Sequence, residues 1–100
     1  MIEIRYSPSV RRLRVYGHAN AGEYGHDLVC AGVSALVLTL GQALSEITND
    51  ADIDIREGEA DIVCTRKDYV IDFLFATIAG GLRCLAENYP QNIDFLESVG

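Results

Sequence analysis

Basic residues are scarce in this chain of 100 residues: eight lysines and arginines stand against fifteen aspartates and glutamates, a formal net charge of −7. That balance repels phosphates, and neither a long Lys/Arg tract nor an RNA-binding signature offsets it, so direct nucleic-acid binding is not expected. An acidic body favours a basic polypeptide as partner. Arg11, Arg12 and Arg14 are the one local concentration of positive charge, and they read as a solvated strand face. CxxC and HExxH spacings are absent. Three cysteines, Cys30, Cys64 and Cys84, are an odd set that closes no disulfide framework and suits a reducing, cytoplasmic compartment. No 18-residue run is framed as a membrane span. The opening Met1-Ile2-Glu3-Ile4-Arg5 lacks the charged-then-apolar layout of a signal peptide, so no membrane partner is expected. Low-complexity segments are missing, as is any internal repeat beyond a loose echo of two hairpin-then-helix units. What remains, 49% hydrophobic and 23% charged, reads as one globular domain over residues 1–100.

Periodicity predicts the elements. Ile2, Ile4 and Tyr6 alternate with Glu3 and Arg5 as a short strand, Ser7-Pro8-Ser9 turns the chain, and alternation resumes from Arg12 to His18. The two strands form a hairpin that delivers His18 at its end. Asp27 reads as the N-cap of a helix from Leu28 to Ile47, stopped by Thr48-Asn49-Asp50. That helix is apolar nearly all round, so one face should meet a sheet and another a second helix or a second subunit. Ala51 to Arg56 and Ala60 to Thr65 form a second strand pair around Glu57-Gly58-Glu59. Asp68 caps a second helix from Tyr69 to Asn88 that ends before Pro90, and Gly80-Gly81 within it suits close approach of another backbone. Ile93 to Leu96 has the pattern of a short final strand. The fold class is α+β, in the order strand-strand-helix-strand-strand-helix with that short strand at the end, the helices packed on a mainly antiparallel sheet.

Chemistry concentrates between Gly17 and Ser34. Capping by Asp27 would place Cys30 near the third helical position, where free N–H groups and the helix dipole favour a thiolate. His18 at the strand end is a candidate to share its proton. Three readings of Cys30 stay open on residue type: an inert buried cysteine, a metal ligand with His18, His26 and Asp27, or an activated nucleophile. The lack of further sulfur or of an established ligand spacing counts against the metal. Cys64, in an alternating strand, and Cys84, in an apolar helix, fit the inert reading. Ala19 to Gly25, with two glycines and little aliphatic anchorage, reads as a mobile surface loop that closes over substrate.

The run Gly17-His18-Ala19, then Gly22-Glu23-Tyr24-Gly25-His26-Asp27-Leu28-Val29-Cys30-Ala31-Gly32 and Ser34, together with the element order, resembles the ribosomal-processing cysteine protease family, Prp. The resemblance implies that Cys30 is the nucleophile of peptide-bond hydrolysis and His18 its general acid/base, with no metal and no organic cofactor. Asp27 and Ser34 match motif positions. Asp27 either caps the helix or orients His18, and Ser34 either bonds near the site or back to its own helix. Gly22, Glu23, Tyr24, Gly25 and His26 would form the substrate loop. The family's substrate is a basic protein of the large ribosomal subunit whose N-terminal extension is cut after an aromatic residue, and the enzyme is a homodimer. The same chemistry on bacteriophage capsid or scaffold proteins is an alternative, as is a non-catalytic dimeric module that holds a peptide.

Overall fold

A computed structural model describes residues 1–17 and 24–99; the side chains of residues 24–27 are outside that description. His18, Gly22 and Glu23, and the side chains of Tyr24, His26 and Asp27, therefore lie outside the described residues, as does the proposed closing loop up to residue 23.

The first hairpin forms as its alternation dictates. Strand β1 (Ile2–Ser7) and strand β2 (Arg12–Tyr16) run antiparallel, with Ile4 opposite Val15 and Tyr6 opposite Leu13. Pro8–Val10 makes a single 3₁₀ turn between them. It closes on Arg11, whose φ of 50° is a left-handed conformation uncommon for a side-chain-bearing residue. Arg11 departs from the solvated-face reading. It is buried, its Nε donates to Cys64 O at 3.0 Å, and its guanidinium lies 3.8 Å from Asp72. Arg12 and Arg14 behave as surface cations, Arg12 on Asp61 and Arg14 over the Tyr16 ring.

Helix α1 (Tyr24–Ile47) starts earlier than the capping signal suggests. Asp27 is the fourth residue of the helix rather than its cap. The first-turn N–H groups make no intrahelical bonds in any helix, so Gly25 and His26 are tolerated there despite modest propensity. Strands β3 (Ala51–Arg56) and β4 (Glu59–Cys64) form the second hairpin. Helix α2 (Tyr69–Asn88) is capped as expected by Asp68, whose carboxylate accepts from Val70 N at 2.8 Å. Strand β5 (Ile93–Glu97) pairs in parallel with β1, which gives a five-stranded sheet in the order β3-β4-β2-β1-β5 whose other pairings are antiparallel.

Both helices cover one face of this sheet. Val29, Val33, Val37, Leu40 and Leu44 of α1, and Ile71, Phe75, Ile78, Ala79 and Leu82 of α2, meet Ile4, Leu13, Ile62 and Cys64 in one core. By length and composition Leu28–Ile47 and Tyr69–Asn88 each meet the requirements of a membrane span, contrary to the sequence expectation; a helix that lays a wide apolar face on a core satisfies the same criterion. The apolar surround of α1 is covered on the sheet and α2 sides. Outside, Leu28, Leu38 and Ile47 are exposed. The expectation that another backbone approaches Gly80-Gly81 is not met. A Cβ at Gly81 would lie 3.2 Å from Leu36 Cδ1, a side chain rather than a backbone, and one at Gly80 would meet nothing within 4 Å. Cys84 does not fit a buried role: α2 buries the opposite stripe and leaves Cys84 exposed.

Candidate functional site

The rotation of α1 is fixed by its buried valines, which turns the adjacent i, i+4, i+8 row of Cys30, Ser34 and Leu38 toward a cleft. The cleft has a volume of about 310 Å³. Ile2, Val15, Val33 and Val37 make its apolar floor. Opposite the helix stand Gly17 at the end of β2 and the β3–β4 tip, from Ile55 to Ala60. A backbone bond from Gly17 N to Gly58 O, 3.0 Å, ties these two walls together. The residue preceding His18 is therefore part of the cleft that Cys30 lines.

Of the three cysteines, Cys64 is buried in β4, Cys84 is exposed on α2, and Cys30 is half-buried in the cleft wall. The position of Cys30 along α1 corrects the expectation of a third helical residue. Counted from Tyr24 it is the seventh. The free N–H groups belong to residues 24–27, and the dipole's influence falls off within the first turn. The helix-start argument for a thiolate therefore fails for Cys30.

Three other helix hydroxyls bond back to their own helix. Thr39 and Thr77 donate back to the carbonyls of Ala35 and Phe73 at 2.6 and 2.7 Å, and Ser45 donates to Gln42 O at 2.8 Å. Ser34 makes no such bond. Among the described residues its hydroxyl has no partner, and it lines the cleft one turn beyond Cys30. Sequence reasoning passed over Gly17 as a binding-wall residue and missed the β3–β4 tip. Their proximity comes from long-range pairing that no local pattern displays.

On the uncovered face of the sheet, Arg12, Asp52, Asp54, Arg56, Asp61 and Val63 border a shallow depression. Arg12 donates to both oxygens of Asp61 at 3.0 and 2.6 Å, which holds that carboxyl below its usual range. Arg56 holds Asp54 in the same way, at 3.0 and 2.9 Å. These pairs are a solvated strand face. No group of three or more His, Cys, Asp or Glu among the described residues is placed to hold a metal ion.

Comparison with known proteins gives a consistent result. Residues 1–94 match the sequence profile of the family described as cysteine protease Prp. The ribosomal processing cysteine protease Prp of Staphylococcus aureus strain Mu50 is 37% identical over 82 residues, which cover 77% of this chain and 76% of that protein. In three dimensions the chain is similar to the S. aureus ribosomal processing protease Prp crystallised with a covalently linked product peptide, at a TM-score of 0.84 and 27% identity, covering 98% of this chain and 100% of that one. A Streptococcus mutans protein superposes with a TM-score of 0.75 at 26% identity, over 99% of this chain and 93% of its own.

Proposed function

The chain belongs to the Prp family of ribosomal-processing cysteine proteases, and from that premise we propose that it removes an N-terminal extension from a basic large-subunit ribosomal protein through a Cys30/His18 acyl-enzyme. The observation that carries this reading is the cleft itself. It sets Cys30 and Ser34 beside an apolar floor. In this reading Cys30 Sγ attacks the scissile carbonyl and its proton passes to His18. His18 then protonates the leaving amine, which departs as the new N-terminus and leaves a thioester on Cys30. Water, deprotonated by His18, cleaves the thioester to a free carboxylate and restores the thiol.

Ser34 supplies a hydrogen bond at the site, and Asp27 orients His18. Gly22, Glu23, Tyr24, Gly25 and His26 contact the substrate. No cofactor takes part. The apolar floor suits a large side chain next to the cut, and the net charge of −7 suits a basic substrate. Three free thiols are compatible with the reducing cytoplasm, where we place the enzyme.

The test is incubation of the protein with the host's ribosomal proteins and mass spectrometry of new N-termini. A single new terminus on one large-subunit protein is the expected outcome. Cleavage confined to phage capsid or scaffold proteins would redirect the substrate assignment, and no cleavage at all would leave a peptide-holding module.

The enzyme acts as a homodimer in this reading, supported by the outer face of the helical layer. Tyr69, Val70 and Phe73 of α2 are exposed, the Tyr69 and Phe73 rings stacked at 6.5 Å, and Leu28 and Ile47 of α1 add to the uncovered apolar surface. Sedimentation should report a dimer for the native chain and a monomer for Phe73→Asp. A native monomer at micromolar concentration would refute the assembly.

A further inference from the structure

The backbone of β3 shows which of its groups remain unused. Thr65 N donates to Asp50 O at 3.2 Å on one side of the β4 line, and Cys64 N donates to Arg11 O at 3.0 Å on the other. Ladder bonds alternate along an antiparallel strand, so odd-numbered residues of β4 face β3 and even-numbered ones face β2. Through the register Asp52↔Val63, Asp54↔Asp61 and Arg56↔Glu59, those three β3 residues bond to β4. The N–H and C=O groups of Ala51, Ile53 and Ile55 point the other way. β3 is the outermost strand on that side of the sheet, and no backbone bond among the described residues takes them up.

The two faces of this edge differ. On the helix side α1 sits close over it, since a Cβ at Gly41 would lie 3.2 Å from Ile53 Cγ2 and 3.4 Å from Ile55 Cδ1. Ile55 and Leu38, 38% and 56% exposed, continue that side into the cleft that holds Cys30. On the open side the edge carries Asp52 and Asp54, and no cation among the described residues pairs with Asp52.

We propose that the free edge of β3 is the docking strand of the substrate: an extended segment flanking the scissile bond adds to it as a sixth strand and enters the cleft past Ile55. This rests on the protease reading. Strand addition supplies main-chain hydrogen bonds from an unpaired edge, and alternate side chains of the added strand read the two faces. The fitting occupant alternates apolar residues, toward Ile53, Ile55 and Leu38, with basic residues over Asp52. A second copy is disfavoured here, because edge-to-edge pairing centred on Ile53 sets Asp52 and Asp54 of one copy against those of the other, and like charges across a ladder are destabilising.

Residue-resolved amide exchange on the Cys30→Ala protein, with and without a blocked peptide of alternating lysine and leucine, tests the proposal. The Ile53 and Ile55 amides should exchange freely in the peptide-free protein and slow by about tenfold or more at saturation, while the Asp54 amide is slow in both states. A glutamate-for-lysine peptide should leave all three unchanged. Protection of Ile53 and Ile55 without peptide would mean that another copy covers the edge. Fast exchange with peptide bound, or no binding of the lysine peptide, would equally overturn the docking strand. Turnover is scored separately on the native enzyme. Cleavage without the alternating pattern leaves the protease reading standing and removes this one; the pattern without cleavage removes the protease reading and with it the substrate role, leaving only a peptide-binding edge.

Discussion

Cys30→Ala should abolish peptide hydrolysis, with a loss on the order of 10³-fold or more, and leave the fold in place. The sulfur is the atom that carries the acyl group in the proposed cycle, and no neighbour can replace it. Ser34 is one turn further along α1, Cys64 is sealed in β4, and Cys84 is exposed on α2 rather than in the cleft wall. Cys30 is half-buried against the core, so its truncation removes one atom from a site that opens to solvent on one side. His18→Ala should produce a loss of similar size, because nucleophile and base act as a unit and removing either disables the other. Cleavage of a fluorogenic peptide alongside thermal unfolding by circular dichroism separates chemistry from folding. Retained turnover in Cys30→Ala would sink the assignment. Retained turnover in His18→Ala alone would keep the nucleophile and require another base.

Much of the fold was legible because its elements announce themselves locally. The alternation of Ile2, Ile4 and Tyr6 and of Leu13 and Val15 set the faces of the first hairpin, and all five side chains are buried. Asp68 carried a true cap signal, since the carboxylate bonds Val70 N. Asp27 carried the same signal without that role. Capping preference says which residues suit an N-cap, not which of several adjacent starts the chain adopts, and here α1 begins at Tyr24. The error propagated to Cys30 and removed the electrostatic argument for it. The cysteine itself was still marked by its motif, and its place in the cleft follows from the valines beside it. Least legible were features built by distant pairing: the bond from Gly17 to Gly58, the burial of Arg11 against the Cys64 carbonyl, and the bare edge of β3. Strand order is a tertiary property, and in a single sequence the two outer strands look like the inner ones.

Gly17→Ala should be the most damaging small substitution in the chain, destabilising it by roughly 2–5 kcal/mol. The residue adopts φ = +97°, outside the narrow left-handed region that an alanine enters at modest cost. An added Cβ would also press into the Met1 carbonyl, with Met1 C at 3.4 Å and Ile2 Cα at 3.7 Å. All of these neighbours are backbone, so no rotamer change relieves the clash, and relief requires parting β1 from the end of β2. The total stability of a domain this size is about 5–15 kcal/mol, so such a loss unfolds a measurable fraction. Turnover should fall further than the folded fraction does, because displacing Gly17 strains its bond to Gly58 and moves the attachment point of His18 relative to Cys30. Gly80→Ala is the matched comparison. Its Cβ meets nothing within 4 Å and it sits inside α2, so the same chemical change should stabilise the protein by about 1 kcal/mol. Urea unfolding of the two variants beside the native chain reads both effects. A Gly17→Ala protein as stable as the native one would show that β1 and β2 can separate at this point without cost, and the close convergence of backbones at the cleft would then carry no constraint on the site.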